Sequence, residues 1–398
     1  MKTSGLDVHK DSIFCAIYNG KSYSEVKEFS TTTNSICELG KYLQSEEVKR
    51  VAMESTSTYW VPIWDILYEM GFELMLVNPY LIKQMPGRKS DSKDAQWIAK
   101  LLYQDMLSGS YVPPPIIQSL RTYSRRYNKL QEQRTQALTK MDRILVMCGI
   151  RISSCITNMG NKSPISIIEA IIQGETNPDN LVRLVYGNKK NKESGKLKEC
   201  LTGNVKEHHR VELQIIKEEF DLYEKHILLC MSKMQEICDE HFKDDLENLI
   251  TIPGISVISA MIIIAETGGD MSVFENSGKL TGWTGLRPRN DESAGKYKST
   301  ATTKGNKYLR TIMVQVAWGA SRKKGSFFMD KFNKLAIRKS RKKALIAIAR
   351  KILVVVWHVL DEKKTYNPNL VHIYDPVKVQ AKIEYHNREI EKAKKFIV

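Results

Sequence analysis

Short apolar stretches alternate with polar turns over the first hundred residues of this 398-residue chain. SGLDVHK, SIFCAIYNG and YSEVKEFS read as three strands. NSICELGKYLQS changes to helical spacing, RVAMEST returns to a strand, and TYWVPIWDILYEMG predicts a helix ended by Gly71. ELMLVNP is a fifth strand, and SKDAQWIAKLLYQDML a helix with Ala95, Ile98, Leu101 and Leu102 on its buried side. The order βββαβαβα is that of an α/β, RNase H-like fold over residues 1–110.

GSYVPPPI, residues 109–116, reads as a linker, because three consecutive prolines cannot continue a helix. Beyond it Leu120, Tyr123, Tyr127, Leu130, Ala137, Met141 and Ile144 follow a 3-4 repeat, with Arg134 the polar intruder. Leu213, Ile216, Phe220, Tyr223, Ile227, Cys230, Met234 and Ile237 repeat the pattern. Both are coiled-coil seams, and the helices form either a hairpin within one chain or a dimer arm. Residues 151–205 between them, with GNKKNKESGK inside, read as a less regular basic insertion, so 111–245 is a helical middle region. ITIPGISVISAMIIIAETGG opens the mainly helical region 246–365 with a Pro-Gly turn and an apolar helix, like half of a helix-hairpin-helix. That turn can hold a phosphate on backbone N–H groups, or simply start a helix. Residues 366–398 read as a polar, peripheral tail.

Hydrophobic residues make up 42% and charged residues 27%, which is globular composition and excludes general disorder. The formal charge of +16 points to a polyanionic partner, nucleic acid above all. It is unevenly placed: residues 1–110 hold 12 basic against 14 acidic residues, whereas Lys296 to Lys351 contains 17 basic residues and one acid, Asp330. Lys296, Lys298, Lys304, Lys307, Arg310, Arg322, Lys323, Lys324, Arg341, Lys342 and Lys343 are the candidate phosphate contacts. Seven cysteines without a CxxC pair predict a reduced, cytoplasmic protein rather than a disulfide framework. The N-terminus lacks a signal peptide's apolar region, and ALIAIARKILVVVWHVL is interrupted by Arg350 and Lys351, so no membrane role is expected.

Four acids stand out in the first region. Asp7 lies in the first strand and Glu54 ends the fourth, and these strands are neighbours in an RNase H-like sheet. Asp91 and Asp94 are three apart at a helix start, on one face. Singly, each acid could be a cap or a solvated strand end. Together they repel one another unless a cation offsets them, and Mg²⁺ (or Mn²⁺) suits oxygen-only ligands and phosphodiester chemistry. His9, two residues from Asp7, is either a further ligand or a packed side chain.

GLDVHKDS, AMESTSTYW, LVNPYLIKQMPGRKSDSKDAQWIAKLL, IPGISVISA and GLRPRNDESAGKYKSTATTKGNKYLR together resemble successive motifs of one family. It is the DEDD transposases of the insertion-sequence-110 family, which include the Piv-type DNA invertases. The resemblance implies a RuvC-like domain whose tetrad falls on Asp7, Glu54, Asp91 and Asp94, and a catalytic serine matching Ser293 in the C-terminal transposase domain. It further implies cutting and rejoining of DNA through a covalent serine link, guided by a structured RNA from the element itself. Two positions depart from the family pattern: Ser57 and Ala294 stand where glycine is usual. Ser299, Thr302 and Thr303 are nearby alternative hydroxyls.

The expected activity is therefore that of a metal-dependent transposase with a composite site, acting as a homodimer or higher oligomer. The runner-up is a RuvC-like structure-selective nuclease using activated water. A nucleic-acid-binding scaffold is the third reading, and the intact acid set argues against it.

Overall fold

The computed structural model describes residues 2–78, 91–186, 194–289, 291–293, 296–299, 301–371 and 376–394. The chain divides into two compact units, Met1–Pro113 and Pro114–Val398.

The first unit is a six-stranded mixed sheet in the order β3-β2-β1-β4-β5-β6. Its strands are β1 (Lys2–Val8), β2 (Ser12–Tyr18), β3 (Lys27–Ser30), β4 (Val48–Glu54), β5 (Glu73–Val77) and β6 (Gly109–Ser110). β1, β4 and β5 run parallel, and β2, β3 and β6 antiparallel to their neighbours. With α1 (Thr33–Ser45), α2 (Trp60–Glu69) and α3 (Asp91–Tyr103) the order is the expected RNase H-type one. The third strand is shorter than its sequence suggests, pairing only over Lys27–Ser30, and Tyr23 makes an isolated bridge to Tyr18. The first two residues of the expected linker form β6 instead, closing the sheet edge against β5.

Strand alternation sorts the two faces. Leu6, Val8, Val51 and Met53 pack with Ile36, Leu39, Ile63 and Leu67 of α1 and α2. Thr3, Gly5 and Asp7 alternate with them, so they face α3, as does Ala52, which packs with Ile98 and Leu102. Gly5 is needed there: a Cβ would lie 2.2 Å from the Ala95 carbonyl oxygen and 2.4 Å from the Ala99 nitrogen. The Thr3 hydroxyl donates to the Ala99 carbonyl at 2.8 Å, seating α3 on β1.

In the second unit α4 (Pro115–Met147) begins on the last proline of the triplet, where a missing N–H costs nothing. It packs antiparallel to a second long helix, Glu207–His241, numbered α9 below, within the chain. Leu120, Leu130, Ala137, Met141, Leu213, Ile227, Cys230 and Met234 of the predicted seams are buried. Arg134 is accommodated by an ion pair with Glu224 and by lying 5.4 Å over the Phe220 ring. The insertion between them is more regular than its sequence suggests. It folds as α5 (Ile152–Cys155), α6 (Lys162–Ile172), α7 (Pro178–Arg183) and α8 (Ser194–Cys200), which bury Ile167, Ile168, Ile171, Leu181 and Leu197 against the hairpin.

The remainder comprises α10 (Lys243–Ile250), α11 (Val257–Thr267), α12 (Ser277–Trp283), the hairpin β7 (Asp291–Ser293) and β8 (Lys296–Ser299), α13 (Lys307–Ala320), α14 (Phe327–Arg338) and α15 (Arg341–Glu362). Two further helices, Pro368–Val371 and Pro376–Lys394, complete it. Its core joins Met261 to Ala265 of α11, Met313, Val316 and Phe328 with Ile348, Ile352 and Val356 of α15, and takes in Ile117, Leu120, Met234 and Cys238 from the long helices. The Pro-Gly turn links α10 and α11 as a helical hairpin. Gly254 has φ +92°, and a Cβ there would lie 2.5 Å from the Val316 carbonyl oxygen, so the turn is pressed onto α13. Ser256 caps α11, its hydroxyl accepting from the Ser259 N–H at 3.3 Å.

All seven cysteines are free, and burial pushes the thiols of Cys15 and Cys238 up to about 12, which leaves them unreactive. Among the described residues no helix is long and apolar enough to cross a membrane.

Candidate active site and nucleic-acid interface

The face that carries α3 also carries the acids. Asp7 is the penultimate residue of β1 and Glu54 the last of β4, and the parallel register (Leu6 opposite Met53) brings both to the same sheet end. Asp94 sits in the first turn of α3, above that end. Asp7 is 5% exposed. Burial raises its carboxyl pKa to about 6; the nearby His9 opposes the rise, and Glu54 and Asp94 add to it. His9 Nε2 lies 3.2 Å from Asp7 Oδ2. Glu54 is oriented by the Thr56 hydroxyl, which donates to Oε1 at 3.0 Å. The turn after Glu54 contains Ser57 with φ +51°, a left-handed backbone at the position where the resembling family uses glycine.

Asp7, Glu54 and Asp94 are thus brought together, and their oxygen-only donor set suits a hard divalent cation. Among the described residues no group of three or more His, Cys, Asp or Glu closes into a metal cage. The Asp91 side chain falls outside the described residues, although its backbone starts α3.

The basic stretch carrying Ser293 pairs as a β-hairpin, with Ser293 opposite Lys296 as its last described pair. Backbone bonds from Arg289 to Ala301 and from Thr303 to Arg287, with a Pro288–Thr302 bridge, extend the ladder to its root. The side chains of Ser293, Lys296, Lys298 and Ser299 lie outside the described residues, as does Ala294. Thr303 turns its hydroxyl to the Arg287 carbonyl at 3.4 Å. Arg310, a candidate phosphate contact, clamps the root: its Nη1 donates to the carbonyls of Gly285 (2.9 Å) and Thr303 (3.3 Å). Lys304, Lys307, Lys323, Lys324, Arg341, Lys342 and Lys343 are exposed. Arg322 lies 4.2 Å over the Trp318 ring.

Sequence reading missed the group beneath the hairpin. Glu266 of α11 is fully buried and accepts from Arg125 Nε and Nη2, both at 3.0 Å, and from Asn306 Nδ2 at 2.6 Å. Asn306 also caps α13 through the Tyr308 and Leu309 N–H groups. The available signal was a lone acid in the apolar run ISAMIIIAETGG, because an unpaired buried carboxylate is too costly to leave without partners.

Comparison with known proteins places these two groups of residues in one family. A DEDD transposase model of the IS110 family matches residues 4–149, and a model described as "Transposase IS116/IS110/IS902 family" matches residues 246–332. "Putative transposase y4pF/y4sB" of Sinorhizobium fredii is 29% identical over 129 residues, 30% of this chain and 32% of that protein. The chain therefore spans about a third of that relative. "Transposase for insertion sequence element IS1111A" of Coxiella burnetii is 22% identical over 359 residues, covering 83% of this chain and 86% of the relative. Thermus thermophilus RuvC, solved with a Holliday junction substrate, is 13% identical with a TM-score of 0.22, over 28% of this chain and 99% of RuvC. The two family models take in the strands bearing Asp7 and Glu54 and the hairpin bearing Ser293, in the same chain order, and the chain belongs to the IS110 family of DEDD transposases.

Proposed function

We propose that this transposase cuts and rejoins DNA with Ser293 as nucleophile and a divalent cation, Mg²⁺ or Mn²⁺, held by Asp7, Glu54, Asp91 and Asp94. The observation that carries the reading is the burial of Asp7 near two further carboxylates, which raises its proton affinity. A bound cation would offset that repulsion and stabilise charge on the phosphoryl group. In the protein step the Ser293 hydroxyl gives up its proton and its oxygen attacks phosphorus. The leaving strand end takes up a proton, and a serine–phosphate ester retains the bond energy. A second strand's hydroxyl then attacks that ester, restoring the serine and joining DNA without ATP.

DNA is the proposed polyanion, with an element-encoded structured RNA as guide. Arg341, Lys342 and Lys343 occupy the first turn of α15, where the helix dipole disfavours cations. Their presence there is explained by an anionic ligand better than by stability. Self-association is supported by Val211, Ile215, Leu222 and Leu229, between 47% and 56% exposed at helical spacing along α9.

Strand joining on supercoiled substrate, with covalent protein–DNA adducts trapped by denaturation, tests the assignment. Ser293→Ala should abolish adducts and reduce joining by more than about 10³-fold. Nicking that persists undiminished in Ser293→Ala selects the water-using nuclease instead. Cleavage undiminished in Asp91→Ala/Asp94→Ala removes the metal site from the mechanism.

A further inference from the structure

We propose that the cleft between α4 and the start of α13 binds an unpaired nucleotide of a nucleic-acid strand leading to the Ser293 hairpin. Two cavities lie there, of about 750 Å³ and about 560 Å³, and Arg125, Lys307 and Tyr308 line both. Each falls within the roughly 300–1,000 Å³ usual for small-ligand sites, which suffices for a nucleotide. Lys129 extends the basic wall along α4, and Trp283 and Lys304 line the smaller cavity from the hairpin root. Among the described lining residues the one acid, Glu132, pairs with Lys129 at 3.2 Å, and Glu266 is sealed beneath the floor.

The cleft has a built interior rather than a row of mobile surface lysines. Glu266 holds the Arg125 guanidinium through two bonds, and that guanidinium lies 4.7 Å over the Tyr308 ring. The ring is half-buried and anchored by the capped start of α13. Trp283 is likewise half-buried, its ring 5.4 Å from Phe274. Paired bases hide their faces inside the stack, so aromatic and guanidinium planes beside lysines suit a base that is out of the duplex. Lys304 is five residues past the end of β8, so the phosphates next to such a base run beside the hairpin.

This inference rests on the strand-joining reading for its setting, but its test reads binding alone. Binding is measured without added metal, so failure of the joining chemistry leaves the result interpretable. The probes are one ten-nucleotide sequence as single-stranded DNA and as single-stranded RNA, and a blunt DNA duplex of that sequence, followed by fluorescence anisotropy. Tyr308→Leu should weaken single-strand binding by about 5- to 100-fold, the loss of one base–ring stack. Tyr308→Phe should bind like the wild type, and the duplex should change by less than about twofold in either variant. A 5-iodouracil-substituted strand should photocross-link wild-type protein within residues 304–310, which keeps the site testable should Tyr308→Leu fold poorly. The tighter of the DNA and RNA probes in that cross-link identifies the strand's source. Cross-linking confined to other peptides, unchanged single-strand binding in Tyr308→Leu, or equal loss of duplex binding overturns the site.

Discussion

Asp7 is a carboxyl group whose burial works against the fold at neutral pH. Its pKa rises from 3.8 to about 6 on folding, so the native state holds the proton more tightly than the unfolded chain. Metal-free stability should therefore fall as pH rises from about 4 to about 6, and remain reduced at neutral pH. Asp7→Asn should raise stability at pH 7 by on the order of 2 kcal/mol, with the gain shrinking towards pH 4, while abolishing cleavage. Thermal unfolding in chelator at several pH values checks this; an equal gain at pH 4 and pH 7 contradicts it. Ser57 is a second such residue. Its left-handed backbone costs an L-residue on the order of 1 kcal/mol, so Ser57→Gly should stabilise the protein by up to about that amount. A lower melting temperature in Ser57→Gly would show that the Trp60 bond to the Ser57 carbonyl depends on serine there. Asp7 and Glu54 stood out in the sequence because an acid in an apolar strand is conspicuous. Glu266 is equally conspicuous, but its partners Arg125 and Asn306 are 141 and 40 residues away and leave no local pattern.

At the level of elements, legibility followed length. The two long helices, of 33 and 35 residues, declared themselves because a 3-4 repeat sustained through most of their length has few alternatives. The helices of the insertion span only 4 to 11 residues, too short for periodicity to register. The hairpin β7–β8 hid for a different reason. Its strand KYKS shows no apolar alternation, and no Asn-Gly or Asp-Gly pair stands in the sequence between the two strands. β6 escaped notice because two residues carry no pattern at all. The Pro-Gly turn had two readings, and its geometry separates them experimentally. Gly254→Ala places a methyl group 2.5 Å from the Val316 carbonyl oxygen in a left-handed backbone, and should destabilise the second unit by about 2 kcal/mol or more. DNA affinity lost in that variant without a change in melting temperature would assign the turn to phosphate instead.

Over the whole molecule, charge is the quantity that composition predicted directly. The first region is slightly acidic while the rest carries the surplus, and the exposed clusters at 322–324 and 341–343 are its densest parts. DNA affinity should fall steeply with salt, and each phosphate contact contributes about 0.9 to the logarithmic slope. Neutralising all six cluster residues should flatten that slope by between about 2 and about 5. An unchanged slope would move the DNA path to another surface. Arg310 should contribute little to the slope, since its guanidinium holds the hairpin root.

Gly5 carries a consequence for anyone transplanting or redesigning the acid cluster. Because its missing side chain lets α3 rest directly on β1, this glycine acts as a spacer of zero thickness between the strand acids and the helix acids. Any larger residue would lift α3, and Asp94 with it, while Asp7 and Glu54 stayed in the sheet. The spacing between the strand acids and the helix acid is then written two residues before Asp7, at a position that carries no side chain at all.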